Sequence, residues 1–251
     1  MFKIPVSTLF LGKNLVYLPE CASTNSYASD LTSNNNTAEG TVVITSRQIQ
    51  GRGQRGNTWE ADDGANLTFS MVLYPVFLSP ESQFTLSKAM SLGVADTLIE
   101  LGIPDALVKW PNDIMVIDRK VCGILIESQV RGLTLSKSVV GIGLNVNQVL
   151  FKAPNATSLA LATGRKHDLN ALLEKLLASL ERRYLQLKNN AARLSDDYIK
   201  LLYWRNQPHL FESKGSAFEG TIEDVDEAGR LRVSSSQRVS SFAAKEIIYV
   251  R

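Results

Sequence analysis

Residues 48–56, QIQGRGQRG, decide whether this chain has the fold of a dinucleotide-binding domain. Their three glycines match the dinucleotide-binding pattern Gly-x-Gly-x-x-Gly, and a β-branched strand candidate at 41–45 precedes them. That pattern also requires a helix directly after the loop, because the N-terminus of that helix binds the pyrophosphate. Residues 57–64, NTWEADDG, show no helical period. The sequence therefore argues against a Rossmann fold.

The same loop retains the chemistry of an anion site. Gly51 and Gly53 let backbone N–H groups approach a ligand closely, while Arg52 and Arg55 supply positive charge and paired hydrogen bonds. For this segment alone, a solvated flexible loop is the alternative.

Outward from the loop, periodicity predicts a chain with two parts. Strands are predicted at 41–45, 67–74, 114–117, 121–126 and 139–146, and helices just after Thr24 and at 79–101, 169–189 and 195–204. Short strand candidates follow at 218–225, 230–233, 239–242 and 247–250. We expect a larger domain over residues 1–205 and, over residues 206–251, a small barrel that shares its core.

Composition excludes several classes of function. The 251 residues include 27 Lys and Arg against 25 Asp and Glu, so a net charge of +2 gives no footprint for nucleic acid or an acidic membrane surface. No apolar run approaches the ~18 residues of a membrane-spanning helix. Cys21 and Cys122 are expected to be buried free thiols, which predicts a soluble cytoplasmic protein. Two histidines without a Cys/His cluster predict neither a zinc site nor a Ser-His-Asp triad.

Two further segments carry polar groups at strand ends. Residues 109–113, KWPND, precede Lys120 and residues 123–127, GILIE, across a predicted hairpin. The two lysines and Asp113 are expected to lie close together, where they suit a phosphate-bearing ligand with a divalent cation. A surface hairpin with ordinary ion pairs is the alternative. In residues 141–147, GIGLNVN, glycines admit a ligand against the strand and asparagines offer polar contacts.

Taken in order with Ser23-Thr24-Asn25, these segments resemble the motifs of the biotin–protein ligase family over roughly residues 15–160. The resemblance implies an α+β fold: a mixed β-sheet flanked by helices, like that of class II aminoacyl-tRNA synthetases, plus a small C-terminal SH3-like β-barrel. It also implies a two-step reaction. Biotin and MgATP would give biotinyl-5′-AMP and pyrophosphate, and biotin would then pass to one lysine of a biotin carboxyl carrier protein domain of a carboxylase such as acetyl-CoA carboxylase.

The resemblance also assigns roles to individual residues. Those expected to contact biotin or the adenylate are Ser23, Thr24, Asn25, Gln48, Gly51, Arg52, Gly53, Gln54, Trp59, Lys109, Asn112, Lys120, Gly123, Gly143 and Asn145. Those expected to act in catalysis are Arg52, Arg55, Asp113 and Lys120. The three cations would hold phosphate charge, and Asp113 would either orient the acceptor lysine or bind Mg²⁺. The magnesium would arrive with ATP, and no tightly bound metal is expected.

Two features depart from the family pattern. The family often has an arginine where this chain has Gln54, so we expect Arg52, Arg55 and Lys120 to contribute more to binding of the adenylate. Some relatives begin with a winged helix-turn-helix, whereas 22 residues precede Ser23 here, so we expect no operator binding.

Two other functions remain open at this point. A lipoate or octanoate ligase uses the same acyl-adenylate chemistry on a similar fold, but its Gly-Gly-Gly signature is missing from this chain. A non-catalytic biotin or nucleotide sensor would be favoured only if the lysines and Asp113 were missing. The sequence leaves the oligomeric state open, a homodimer included.

Overall fold

A seven-stranded mixed sheet is the largest element of the computed structural model, which describes residues 2–34, 36–236 and 238–250. Its strands are β1 Leu15–Cys21, β2 Val42–Gln48, β3 Leu67–Leu73, β4 Leu107–Lys109, β5 Asp113–Val116, β6 Arg119–Arg131 and β7 Thr134–Leu144. They lie in the order β1-β2-β3-β7-β6-β5-β4. β1 and β2 run parallel, and all other neighbours are antiparallel.

Helices cover both faces of this sheet because its strands alternate between two apolar clusters. The helices are α1 Thr24–Asn34, α2 Phe84–Glu100, α3 Leu159–Thr163, α4 Leu169–Asn189 and α5 Ala191–Lys200. On β2, Val42 and Ile44 join the large core with α2 and α4, whereas Val43 between them packs near Ala28 of α1. Along β3 the same alternation places Ser70 on the α1 face, beside the start of that helix.

The last part of the chain forms a second, smaller sheet. Its strands are β8 Pro208–Ser213, β9 Ser216–Val225, β10 Leu231–Ser235, β11 Arg238–Phe242 and β12 Ile248–Tyr249. They are antiparallel in the order β11-β10-β9-β8-β12. The expected C-terminal β unit is therefore confirmed as a five-stranded antiparallel sheet. No closing pair between β11 and β12 occurs among the pairings of the described residues.

The small sheet is fastened to the large one by buried contacts. Phe211 and Ile222 belong to the same hydrophobic cluster as the main sheet, as the shared core predicted. Trp110 donates its indole N–H to the carbonyl of Gly229 at 2.9 Å, and Lys88 Nζ donates to the carbonyl of Val225 at 3.2 Å. The domain boundary between residues 205 and 206 stays a prediction.

Several element boundaries differ from the predicted ones. Strands β1, β4 and β8 were not predicted, because each is short or carries proline and charge. Helix α1 spans Thr24–Asn34, and α5 lies at Ala191–Lys200 rather than 195–204. The β5–β6 turn is centred on Ile117 and Asp118, whose positive φ values of 48° and 61° are those of a tight hairpin turn.

The two thiols differ in exposure. Cys122 is fully buried, and burial raises the pKa of its thiol, so it stays protonated and unreactive. Cys21 is only partly buried, which corrects the expectation for that residue. Among the residues that the structure describes, no helix has the length and apolar character needed to cross a bilayer.

Candidate functional site

A cavity of about 240 Å³ opens over β3, β7 and β6, between the start of α1 and the glycine-rich loop. It brings together most of the residues that the motifs had singled out. The predicted residues that line it are Ser23, Thr24, Asn25, Gln48, Arg52, Gly53, Gln54, Trp59, Asn112, Asp113, Lys120, Gly123 and Gly143.

One end of the cavity is built from amide and hydroxyl groups. Gln48, at the end of β2, accepts hydrogen bonds from the backbone N–H and the hydroxyl of Thr24 at 2.9 and 3.3 Å. The hydroxyl of Ser70 lies 2.7 Å from Thr24 Oγ1 and 2.6 Å from Asn25 Oδ1. These bonds hold the side chains of Thr24 and Asn25 in place at the start of α1, where both residues line the cavity.

The indole of Trp59 forms one wall. A Cβ atom added at Gly143 would lie 2.3 Å from this indole, and one at Gly123 would lie 3.0 Å from it. The two glycines therefore let the ring lie flat on β6 and β7. The indole N–H of Trp59 is buried without a hydrogen-bond partner among the described residues.

The other end is charged. Lys120 Nζ lies 2.7 Å from Asp113 Oδ1, and both side chains are partly exposed to the cavity. The ammonium group also lies 5.6 Å from the centre of a Trp59 ring. Asn112 donates its side-chain amide to the carbonyl of Ile124 at 2.8 Å, which holds the strand-end turn in place. The predicted proximity of Asp113 and Lys120 is confirmed.

The glycine-rich loop folds back on itself as a tight hairpin. The backbone N–H of Trp59 donates to the carbonyl of Gly51 at 3.0 Å, and the backbone N–H of Gly53 donates to the carbonyl of Asn57 at 2.7 Å. A Cβ at Gly51 would lie 2.3 Å from the Trp59 carbonyl, so glycine is needed there for the close approach of two backbones. Gly51 thus belongs to the loop's own packing and does not line the cavity. The side chain of Arg55 lies outside what the structure describes.

Two other predicted residues lie away from the cavity. Lys109 Nζ lies 4.7 Å from the ring centre of Tyr249 in the small sheet. Asn145 is buried behind β7 and donates its side-chain amide to the carbonyl of Thr157 at 2.9 Å. Neither residue is among those lining the cavity, and their expected contact with the ligand stays a prediction.

The cavity also has lining residues that motif analysis missed. Ala244 and Lys245, from the turn between β11 and β12, reach its rim, and Thr68 of β3 contributes to its floor. Lys245 adopts a positive φ of 73°, and the described residues include no carboxylate within ion-pair distance of it. Nothing in the local sequence marks this lysine, because tertiary docking of the small sheet alone brings it to the cavity.

Comparisons with known proteins agree with this geometry. The family model described as the biotin/lipoate A/B protein ligase family matches residues 17–145. A curated biotin–[acetyl-CoA-carboxylase] ligase of Mycobacterium tuberculosis is 31% identical over 218 residues, covering 85% of this chain and 80% of that protein. A bifunctional ligase/repressor BirA of Bacillus spizizenii is 35% identical over 185 residues, covering 71% of this chain and 56% of that protein. The match thus spans little more than half the length of the Bacillus relative.

A solved structure gives the same result for the fold. The biotin protein ligase of Aquifex aeolicus in complex with biotin and ATP has a TM-score of 0.79 and 27% sequence identity, covering 95% of this chain and 99% of that one. This likeness confirms the predicted mixed sheet flanked by helices with a small β unit at the C-terminus. Together with the family match and the Mycobacterium relative, it shows that the chain belongs to the biotin/lipoate A/B protein ligase family.

Proposed function

We propose that this chain is a biotin–protein ligase. It would join the carboxylate of biotin to the AMP part of MgATP, release pyrophosphate, and transfer the biotinyl group to a lysine of a carboxylase carrier domain. Two relatives support the choice of substrates: the Aquifex protein was solved with biotin and ATP, and the Mycobacterium protein is named for acetyl-CoA carboxylase.

The observation that carries the proposal is the chemistry of the cavity's two ends. Hydroxyl and amide groups of Ser23, Thr24 and Asn25 lie at one end, and the Lys120–Asp113 pair lies at the other, with the apolar Trp59 wall alongside. Biotin has the same three parts: a ureido group that donates and accepts hydrogen bonds, an apolar ring and chain, and a carboxylate. We infer that the ureido group lies at the amide end.

The first step needs placement and charge more than acid–base chemistry. A carboxylate oxygen of biotin attacks the α-phosphorus of ATP, a new P–O bond forms, and the bond to pyrophosphate breaks with its electron pair. The carboxylate is already a nucleophile, so no base is required. Lys120 is placed to offset the negative charge that gathers when two anions meet.

The second step is where Asp113 has its proposed role. The acceptor lysine amine attacks the acyl carbon of the adenylate, AMP leaves, and the amine loses a proton. Asp113 is the one carboxylate among the described lining residues, so it would orient that amine or hold Mg²⁺.

We infer that magnesium enters this site as part of the substrate. No group of three or more His, Cys, Asp or Glu side chains suited to a metal occurs within the described ranges. Nucleotide-bound Mg²⁺ commonly takes one or two carboxylates and completes its shell with phosphates and water. A single Asp113 is compatible with that arrangement.

Several finer points stay predictions: a cytoplasmic location, a possible homodimer, the absence of nucleic-acid partners, and weaker binding of the adenylate at Gln54.

The function itself is tested by incubating the protein with ATP, a purified biotin carboxyl carrier domain and one of three acids: biotin, lipoate or octanoate. Intact-mass analysis should show modification of the carrier with biotin alone, and a carrier whose target lysine is replaced by arginine should stay unmodified. Modification with lipoate or octanoate instead would place the chain among lipoate-type ligases, and none with any acid would favour a sensor.

A further inference from the structure

One carboxylate on β6 joins two parts of the cavity that are far apart in sequence. Arg52 Nη2 lies 2.8 and 2.6 Å from the two carboxylate oxygens of Glu127. The side-chain amide of Asn25 donates to the same carboxylate at 2.8 Å. Glu127 therefore links the glycine-rich loop to the first turn of α1, although motif analysis assigned it no role.

The contact with Glu127 also decides which way the Asn25 amide points. Because the nitrogen of that amide donates to Glu127, its oxygen is directed at the hydroxyl of Ser70, 2.6 Å away. A Cβ atom at Gly141 would lie 2.2 Å from that oxygen, so only glycine at this strand position leaves room for the Asn25 amide. Asn25 is 3% exposed, and its orientation depends on a charged acceptor on one side and a hydroxyl on the other.

The same contact bears on Arg52. Its guanidinium group already holds a carboxylate at ion-pair distance, with the two side chains 46% and 44% exposed. A phosphate placed on this arginine would come close to the charge of Glu127, and like charges at short range repel. The rim lysine Lys245, which has no carboxylate at ion-pair distance among the described residues, is better placed to meet phosphate charge.

We propose that Glu127 is a positioning residue, which holds the Asn25 amide and, through Arg52, the glycine-rich loop in the geometry that receives the acid. Arg52 then acts as the loop's anchor to β6 and not as a phosphate ligand. This replaces the role expected for Arg52 from the family resemblance, and it rests on the proposed function.

A double-mutant cycle tests the proposal. The variants are Glu127→Gln, Arg52→Gln and the two combined, and pyrophosphate exchange is measured while biotin and ATP are varied separately. Each single variant should raise the KM for biotin about tenfold and change the KM for ATP less than about twofold. The combined variant should be no worse than either single one, because both changes break the same contact.

A matched control is available on the same sheet. Glu20 pairs with Arg47 at 2.9 Å between β1 and β2, with similar exposure, and neither residue lines the cavity. Glu20→Gln should leave both KM values unchanged. A rise in the KM for ATP in Arg52→Gln would show that Arg52 contacts the nucleotide, and single effects that multiply in the combined variant would show that the two residues act independently. Either result would overturn the proposal.

A second readout does not depend on activity. Amide hydrogen exchange over residues 51–59 of the ligand-free protein should be faster in Glu127→Gln and in Arg52→Gln than in the wild type or Glu20→Gln. Unchanged exchange in Glu127→Gln would overturn the anchoring role. If the wild type proves inactive with biotin but the loop still loosens in Glu127→Gln, the anchoring role is upheld and the proposed function is what has failed.

Discussion

At the scale of single residues, Gly143 marks one of the closest contacts of the cavity. Any side chain there meets the Trp59 indole, because an added Cβ would lie 2.3 Å from it. Motif analysis singled out this glycine because a glycine inside a buried strand signals the close approach of another group. The group turned out to be the protein's own tryptophan, which serves in turn as a wall for the ligand.

Gly143→Ala should displace Trp59 and weaken biotin binding. Overpacking of this kind costs about 1–3 kcal/mol, and about 1.4 kcal/mol of that cost falling on biotin binding corresponds to a rise in the KM for biotin of about tenfold. The comparison is Ser136→Ala on the same strand, outside the cavity. Equal KM values for the two variants would mean that Trp59 does not shape the biotin site.

Lys245 shows what a motif cannot reveal. It lies between two strands of the small sheet, 98 residues beyond the end of the motif segment 141–147 (245 − 147 = 98). It reaches the rim through a turn held by hydrogen bonds between Glu246 and Ala243. With no carboxylate nearby among the described ion pairs, its charge is available to a phosphate.

Lys245→Ala should raise the KM for ATP by roughly three- to tenfold and leave the KM for biotin unchanged. Lys214→Ala is the matched control, since Lys214 also has a positive φ, 51°, and lies in a turn of the small sheet away from the cavity. Titration of ATP in the exchange reaction measures both variants. An identical ATP dependence in the two would remove Lys245 from the site.

At the scale of elements, the segment KWPND is divided between two tasks. Its first half faces the small sheet, where Trp110 donates to Gly229 and Lys109 lies over Tyr249. Its second half, Asn112 and Asp113, lines the cavity. The motif therefore couples docking of the small sheet to the geometry of the charged end. Lys109 belongs to the half that contacts the small sheet, so it lies outside the cavity although its motif neighbours line it.

The docked small sheet should loosen at acid pH. The ring of His209, at the start of β8, stacks on Trp204 with 4.0 Å between ring centres, and burial lowers its pKa below the ordinary 6.5, against a weaker opposite effect of Asp118. The folded protein thus binds fewer protons than the unfolded chain. Stability from this group is complete above pH 6.5 and is lost as the pH falls below it.

The check is thermal unfolding between pH 7.5 and 5.5. The melting temperature of His209→Gln should fall less over this range than that of the wild type, by about 2 °C. His167 has a pKa lowered in the same direction and is present in both proteins, so it cancels in the comparison. Parallel falls in the two proteins would show that His209 does not couple pH to folding.

At the scale of the whole molecule, the sequence predicted the parts that short-range patterns encode. Long amphipathic helices such as α4, the hairpin of β5 and β6, and the grouping of Ser23, Thr24, Lys120 and Asp113 follow from periodicity and motifs. Strand β4 has three residues, too few to show a period. The contacts of Glu127 with Arg52 and Asn25, and the position of Lys245 at the cavity rim, depend on segments that are distant in sequence. No local sequence pattern therefore indicates them.

The central claim is that this cavity activates biotin with ATP, and biotin-dependent ATP–pyrophosphate exchange tests it most directly. We predict exchange with biotin, none above background with lipoate or octanoate, and a loss of about a hundredfold in Lys120→Ala, because that residue offsets charge at the reacting end. Exchange that is driven by lipoate or octanoate, or no exchange with any of the three acids, would contradict the account.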